Sequence, residues 1–150
     1  HTNDAPSTVT RLLDIGIEDF LVSATVEAII GQRLVRKISP SCRQYYVPEP
    51  EHLFELQLKA EDIGDKKFAF GTGCEKCNNT GYKGREALFE FMIMNDNLKQ
   101  MILDNATTTE LRDQARAQGM RTLRESGILS ILDGRTTIEE VMRETLSIEF

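Results

Sequence analysis

No stretch of apolar residues in this chain approaches the ~20 needed for a membrane-spanning helix, and the N-terminus lacks the basic-then-apolar order of a secretory signal. Both absences point to a cytosolic protein, or to a soluble piece of a larger one. A glycine-rich phosphate loop is also missing. No G-x-x-x-x-G-K followed by Ser or Thr occurs, and no hydrophobic run ends in an acidic pair suited to magnesium. Without a cradle of backbone N–H groups the terminal phosphates of a nucleotide have no seat, so these residues alone carry no nucleotide hydrolysis. A concentrated basic face is lacking too. Net charge is −6, the opposite of the positive surface that dominates affinity for nucleic acid, which excludes that partner class. Cysteine is scarce and odd in number, at three, so a self-contained disulfide framework is excluded.

What is present is enough for one compact domain or two small ones, with 150 residues of which 40% are hydrophobic and 28% charged. Residues 1–38 read as two helices broken near Gly16. Val9, Leu12 and Leu13 stripe the first, and Phe20, Leu21, Ala24, Ala28, Leu34, Val35 and Ile38 recur at roughly helical spacing in the second. The pattern changes at Ser39 and Pro40, because residues 39–85 hold three of the four prolines, five of the ten glycines and every cysteine. This segment suits a short helix after Pro50 and a short strand over Lys67 to Phe70, and it is polar enough to need a staple. From Glu86 to Met94 an alternating run puts Glu86 and Glu90 on one face and Phe89 and Phe91 on the other. Three helices follow, opened by Asp96, by Thr107 with Glu110 and by a pair at Thr136 and Glu139, with a further apolar stripe through Leu123 and Ile131. The expected fold class is therefore mostly α with short β segments, ending in a small helical bundle.

The strongest chemical signal is Cys74-x-x-Cys77 within G-T-G-C-E-K-C-N-N-T-G-Y-K-G-R, residues 71–85. Two sulfurs at this spacing can face one ion while backbone N–H groups soften the thiolate charge. A closed structural zinc site wants four ligands. Upstream, S-P-S-C at 39–42 supplies Cys42, but Ser39 stands where a second thiolate would be expected. His52 or Asp62 could complete the set, and nothing in the spacing singles out either. The alternative is a knuckle that keeps its fold without metal, with Cys42 buried as a small apolar residue. A Cys–His nucleophilic pair using His1 or His52 lacks the oriented third group that such chemistry needs. Arg33, Arg36, Lys37 and Arg43, with Lys76, Lys83 and Arg85, form the densest basic spots. They read as a solvated face, or as a docking surface for an acidic partner or anionic lipid.

Several segments in order resemble one family, the type II secretion and type IV pilus assembly ATPases. They are H-T-N-D-A at 1–5, T-R-L-L-D-I-G-I at 10–17, Q-R-L-V-R at 32–36, C-E-K-C-N-N-T-G-Y-K-G-R at 74–85, F-E-F at 89–91, M-R-T-L-R-E-S-G at 120–127 and T-T-I-E-E-V-M-R-E-T at 136–145. The resemblance implies a C-terminal part of such an ATPase. Residues 1–38 would be the closing helices of a RecA-like domain, 39–85 a metal-binding insertion, normally tetracysteine, and 86–150 a C-terminal strand plus helical subdomain. His1 would be the last histidine of the family's histidine box, near the nucleotide's terminal phosphate. Cys42, Cys74 and Cys77 would ligate zinc, while ATP and magnesium would bind only in the intact parent, ahead of His1. The implied partners are the remainder of the ATPase chain, further copies in a homohexamer and an inner-membrane platform protein, at the cytoplasmic face of that membrane. G-Y-K-G-R and F-E-F lean toward pilus assembly over secretion. The competing reading is a stand-alone, metal-stapled interaction module that binds a secretion-system component.

Overall fold

The computed structural model describes residues 1–145. The order is α1 (Ala5–Asp14), α2 (Asp19–Thr25), β1 (Ala28–Ile38), β2 (Arg43–Tyr46), α3 (Pro50–Glu55), α4 (Ala60–Ile63), β3 (Phe68–Gly71), a 3-10 turn (Glu75–Cys77), β4 (Tyr82–Ile93), α5 (Asp96–Leu103), α6 (Thr108–Ala117), α7 (Leu123–Leu132) and α8 (Ile138–Thr145). The fold is mixed rather than mostly helical. Its two longest elements, β1 and β4, are strands of 11 and 12 residues that pair with each other.

The helix expected to run to Ile38 stops at Thr25, and residues 28–38 are strand. Short apolar runs match both periods. Here the β-branched Ile29, Ile30, Val35 and Ile38, with Gly31 between them, favour the extended chain over a helix. Phe20 and Leu21, expected to be buried, are about half exposed. The break at Gly16 holds, because that residue ends α1 with φ +98, a left-handed conformation open to glycine at little cost. The helix after residue 94 is capped one residue earlier than expected, by Asn95, whose Oδ1 accepts the Leu98 N–H at 3.0 Å. The box of Thr107 and Glu110 forms as read. In α8 it is Thr137, not Thr136, whose hydroxyl accepts a first-turn N–H, from Glu140 at 3.3 Å.

The chain divides into two compact units. The first comprises His1–Gln32 and Phe89–Leu123, the second Arg33–Leu88 and residues 124–145. In the first, Ala5 and Val9 of α1, Val22 of α2, Met92 of β4, Leu98 and Ile102 of α5 and Leu111 and Ala115 of α6 make one core. Glu90 lies on the same strand face as Met92 and is 1% exposed. Its carboxylate accepts the Ala5 N–H at 2.8 Å and the Leu123 N–H at 2.9 Å. These are the first residues of α1 and α7, so one carboxylate serves the positive ends of two helices. Burial pushes the Glu90 carboxyl up, the two N–H bonds offset this only in part, and its pKa stays above the ordinary value. A buried ion pair, Asp4 to Arg112 at 2.5 Å, fixes the same N-terminal turn.

In the second unit Leu53 and Leu56 of α3 and its end, Ile63 of α4, Phe68 of β3, Ile131 of α7 and Ile138 and Val141 of α8 form the core. The helices after residue 95 therefore serve two cores, α5 and α6 the first, α7 and α8 the second, where a single bundle was expected. Glu140, 1% exposed, takes the Arg36 guanidinium on Oε1 (2.7 and 2.9 Å) and the Arg36 N–H on Oε2 (2.9 Å). The same guanidinium lies 4.1 Å from the centroid of the Tyr82 ring, and Arg143 adds a second cation at 2.7 Å. Burial pushes the Glu140 carboxyl up, but Arg36 and then Arg143 outweigh it and hold the pKa below the ordinary 4.5.

Two predictions follow from these carboxylates. Glu90→Gln leaves one of the two helix ends without its acceptor and is expected to cost roughly 1–3 kcal/mol in chemical denaturation. For Glu140, a folded pKa below the unfolded one means that its stabilisation is present above about pH 4.5 and lost as pH falls through the folded value. Glu140→Gln is therefore expected to be less stable at neutral pH by roughly 1–3 kcal/mol, the Arg36 partner being partly exposed. The gap between the two proteins should close in acid, as read by denaturation midpoints from pH 7 downward.

Candidate metal centre

The pairing of β2 with β3 is what assembles the cysteines. The strands run antiparallel with Arg43 opposite Gly71 and Tyr46 opposite Phe68. Cys42 precedes the first strand directly, and its carbonyl accepts the Thr72 N–H at 3.1 Å. Cys74 and Cys77 therefore emerge beside Cys42 although more than 30 residues separate them in sequence. The chain then turns back sharply over Asn78 and Asn79, both with φ near +60, and passes so close to β3 that a Cβ on Gly81 would lie 2.5 Å from the Gly71 carbonyl oxygen. Gly81 also has φ +81, so both the space and the backbone conformation there call for glycine.

The three Sγ atoms lie within 4.8 Å of one another, Cys74 to Cys77 at 3.5 Å and Cys42 to Cys77 at 3.9 Å. All three are free thiols. Sulfurs at the corners of a zinc tetrahedron with ~2.3 Å bonds sit about 3.8 Å apart, so the spacing fits that ion. The surroundings fit as well. Cys77 is 5% exposed, and its sulfur accepts N–H groups from Cys74 at 3.2 Å and Gly81 at 3.3 Å, the second-layer bonds that soften a thiolate's charge. Burial pushes the Cys77 thiol up, but the Cys74 and Gly81 N–H groups and the two neighbouring thiols pull it down to about 6. The Cys74 thiol moves the other way, raised by burial and by the hydrogen bond it shares with Cys77.

Neither expected substitute for a fourth ligand joins the cluster. The His52 Nδ1 accepts the Glu49 N–H at 3.1 Å, closing a cap on α3, and its ring meets Tyr46 edge-on. Asp62 closes the corresponding cap on α4 by accepting the Lys59 N–H at 2.8 Å. Among the described residues the group of candidate metal ligands consists of the three cysteines. Ser39 is fully buried, and its Oγ has no hydrogen-bond partner among the described residues.

His1, in the first unit, borders a hollow that it shares with Asn3, Ser7, Arg11, Asp14 and Thr108. Of the basic residues read as one exposed face, Arg36 is committed to Glu140 and Tyr82. The roles of Glu90 and Glu140 were not anticipated. An acidic residue on the same strand face as Leu88 and Met92 was the available signal for Glu90. For Glu140 there was none, because Arg36 lies 104 residues away.

A family model described as type II/IV secretion system protein matches residues 1–143. The type IV pilus assembly ATPase PilB of Thermus thermophilus is 41% identical over 146 residues, which cover 97% of this chain and 16% of that protein. PilB of Myxococcus xanthus is 42% identical, with 97% and 26% covered. Type II secretion system protein E of Xanthomonas campestris is 39% identical over 145 residues, with 97% and 26% covered. The chain thus spans about a quarter or less of the length of these curated relatives. With that match and those identities, the chain belongs to the type II/IV secretion system protein family.

Proposed function

We propose that this chain is the C-terminal part of a hexameric ATPase that powers type IV pilus assembly or type II secretion. In this reading it passes ATP-driven domain motion to an inner-membrane platform protein. The segment 1–38 closes a RecA-like ATPase domain, 39–85 is its metal-binding insertion, and 86–150 its C-terminal subdomain, whose last five residues lie outside those described. ATP and magnesium bind in the preceding part of the parent. His1 is the remnant of the histidine box, and zinc sits on Cys42, Cys74 and Cys77. The assembly works at the cytoplasmic face of the inner membrane, peripherally. No helix among the described residues is long and apolar enough to cross a membrane. Contact with anionic lipid falls to the remaining basic residues, including Lys37, Lys76, Lys83 and Arg85.

One observation carries the reading. In the first unit the outer face of the β1–β4 ribbon is apolar and exposed, with Ile30 at 58%, Phe89 at 42%, Phe91 at 49% and Ile93 at 62%. Beside the Glu90 carboxylate the inward face of β4 carries the apolar Met92, and the outward face is apolar too, with Phe89 and Phe91. Such a face is one that further protein covers. The remainder of a motor domain is the cover that the family membership supplies. A stand-alone module would have no use for it.

The isolated chain tests this directly. It is expected to turn over no ATP and to bind an apolar dye or self-associate through this face. Phe91→Ser with Ile93→Ser should suppress the association while leaving the fold intact by circular dichroism, since both residues are exposed. ATP turnover that is abolished by replacing the chain's own side chains would overturn the proposal.

A further inference from the structure

We infer that the Ser39 hydroxyl is the fourth donor of the knuckle, making a site of three sulfurs and one oxygen for a zinc-like divalent ion; the inference rests on the reading that the cysteines hold metal.

Three observations bear on it. The first is geometric. Ser39-x-x-Cys42 and Cys74-x-x-Cys77 are built alike. In each, the carbonyl of the first residue accepts the N–H of the fourth, Cys42 to Ser39 at 3.4 Å and Cys77 to Cys74 at 3.2 Å. In the second turn the first residue brings a sulfur into the cluster. The same position in the first turn is occupied by Ser39.

The second is connectivity. The Ser39 N–H donates to the Gly81 carbonyl at 2.9 Å, and the Gly81 N–H donates to the Cys77 sulfur at 3.3 Å. Ser39 is therefore bonded through its carbonyl to one ligand residue and through its N–H to the residue that supports another.

The third is an unmet requirement. Ser39 is 0% exposed and its Oγ has no hydrogen-bond partner among the described residues. An unsatisfied buried hydroxyl is destabilising, and such a group calls for a partner that the protein itself does not supply. A divalent ion held by Cys42, Cys74 and Cys77 would be that partner, since Ser39 lies in the same turn as Cys42. Among the described residues no His, Asp or Glu joins the three cysteines as a candidate ligand.

The chemistry then sets the character of the site. A neutral oxygen is a weaker and more readily exchanged zinc ligand than a thiolate. Three thiolates and one hydroxyl leave a net charge one unit less negative than four thiolates would. The knuckle should hold its ion less tightly than an all-sulfur site, and the ion should exchange at the oxygen corner.

The test titrates the 150-residue chain, purified without chelator and then stripped, with cobalt(II) and with zinc against a chromophoric competitor. Ser39→Ala and Ser39→Cys serve as the variants. One ion per chain with a tetrahedral cobalt spectrum is expected. Ser39→Cys should bind zinc at least tenfold more tightly and raise the sulfur-to-cobalt charge-transfer intensity by about a third. Ser39→Ala should bind at least tenfold more weakly, while its metal-free form unfolds at the same or a higher temperature because the orphaned hydroxyl is gone. Unchanged zinc affinity in Ser39→Ala would overturn the role of Ser39 and leave the three-cysteine reading standing, since a cysteine at this position can ligate whatever the serine does. Failure of the unmodified chain to bind either ion would overturn both.

Discussion

A ladder of four residue pairs decides whether this protein has a metal centre at all. Cys42 on one side and Cys74 and Cys77 on the other belong to distant stretches of chain, and only the pairing of Arg43–Tyr46 with Phe68–Gly71 brings their sulfurs into one cluster. That ladder is too short to persist alone in water. It is held because Phe68 anchors it into the core built with α3, α4, α7 and α8, and because Gly71 and Gly81 let the following chain cross at backbone contact distance. The dependence runs both ways. An ion on the three sulfurs would cross-link the two ends of the same hairpin, so metal affinity and ladder stability are one equilibrium.

The two buried glutamates apply a similar logic through charge. Glu90 ties α1 and α7 to the long strand between them through their N-terminal N–H groups, and Glu140 ties β1 to α8 through the Arg36 side chain and backbone. In each case an ionisable group is fully enclosed and bonds a segment remote in sequence, Glu140 adding Arg143 of its own helix. Their environments differ in one respect that sets their opposite pKa directions. Glu140 faces two guanidinium groups, whereas Glu90 faces backbone dipoles with a cation further off and Asp4 nearby. Apolar replacements of the same size could be as stable. What the carboxylates add is register, because two fixed N–H donors or one guanidinium fork accept only one placement of strand against helix.

Local signals were legible in the sequence where the chemistry is local. The glycine stop after α1, the proline-opened α3, the strand from Phe68, the box of Thr107 and Glu110 and the C-x-x-C turn all stand where residue type and spacing put them. The misreading of residues 28–38 as helix has a simple cause. Ala28, Leu34, Val35 and Ile38 match a helical stripe by number, but β1 is selected by its pairing with β4, some fifty residues away, and spacing within one segment does not carry that. The site shows the same division. The spacing pointed to three candidate sulfur donors and left a fourth open among His52 and Asp62, because it gave no sign that both would close helix caps. The enclosure of Ser39 is likewise a property of tertiary packing.

Strand β4 shows how one buried carboxylate sets the orientation of its neighbours. A two-sided ribbon normally turns its polar side to water. Here Glu90 is drawn inward by two helix ends that need an acceptor, and the period-2 alternation then forces Phe89 and Phe91 to the other face. The alternation therefore fixes that positions 89 and 91 face outward, while their aromatic character is a separate feature of the sequence. Reversing it would strip two helices of their N-terminal partner. With the carboxylate inside, positions 89 and 91 stand outside, and the phenylalanines found there leave an apolar face whose wetting is unfavourable.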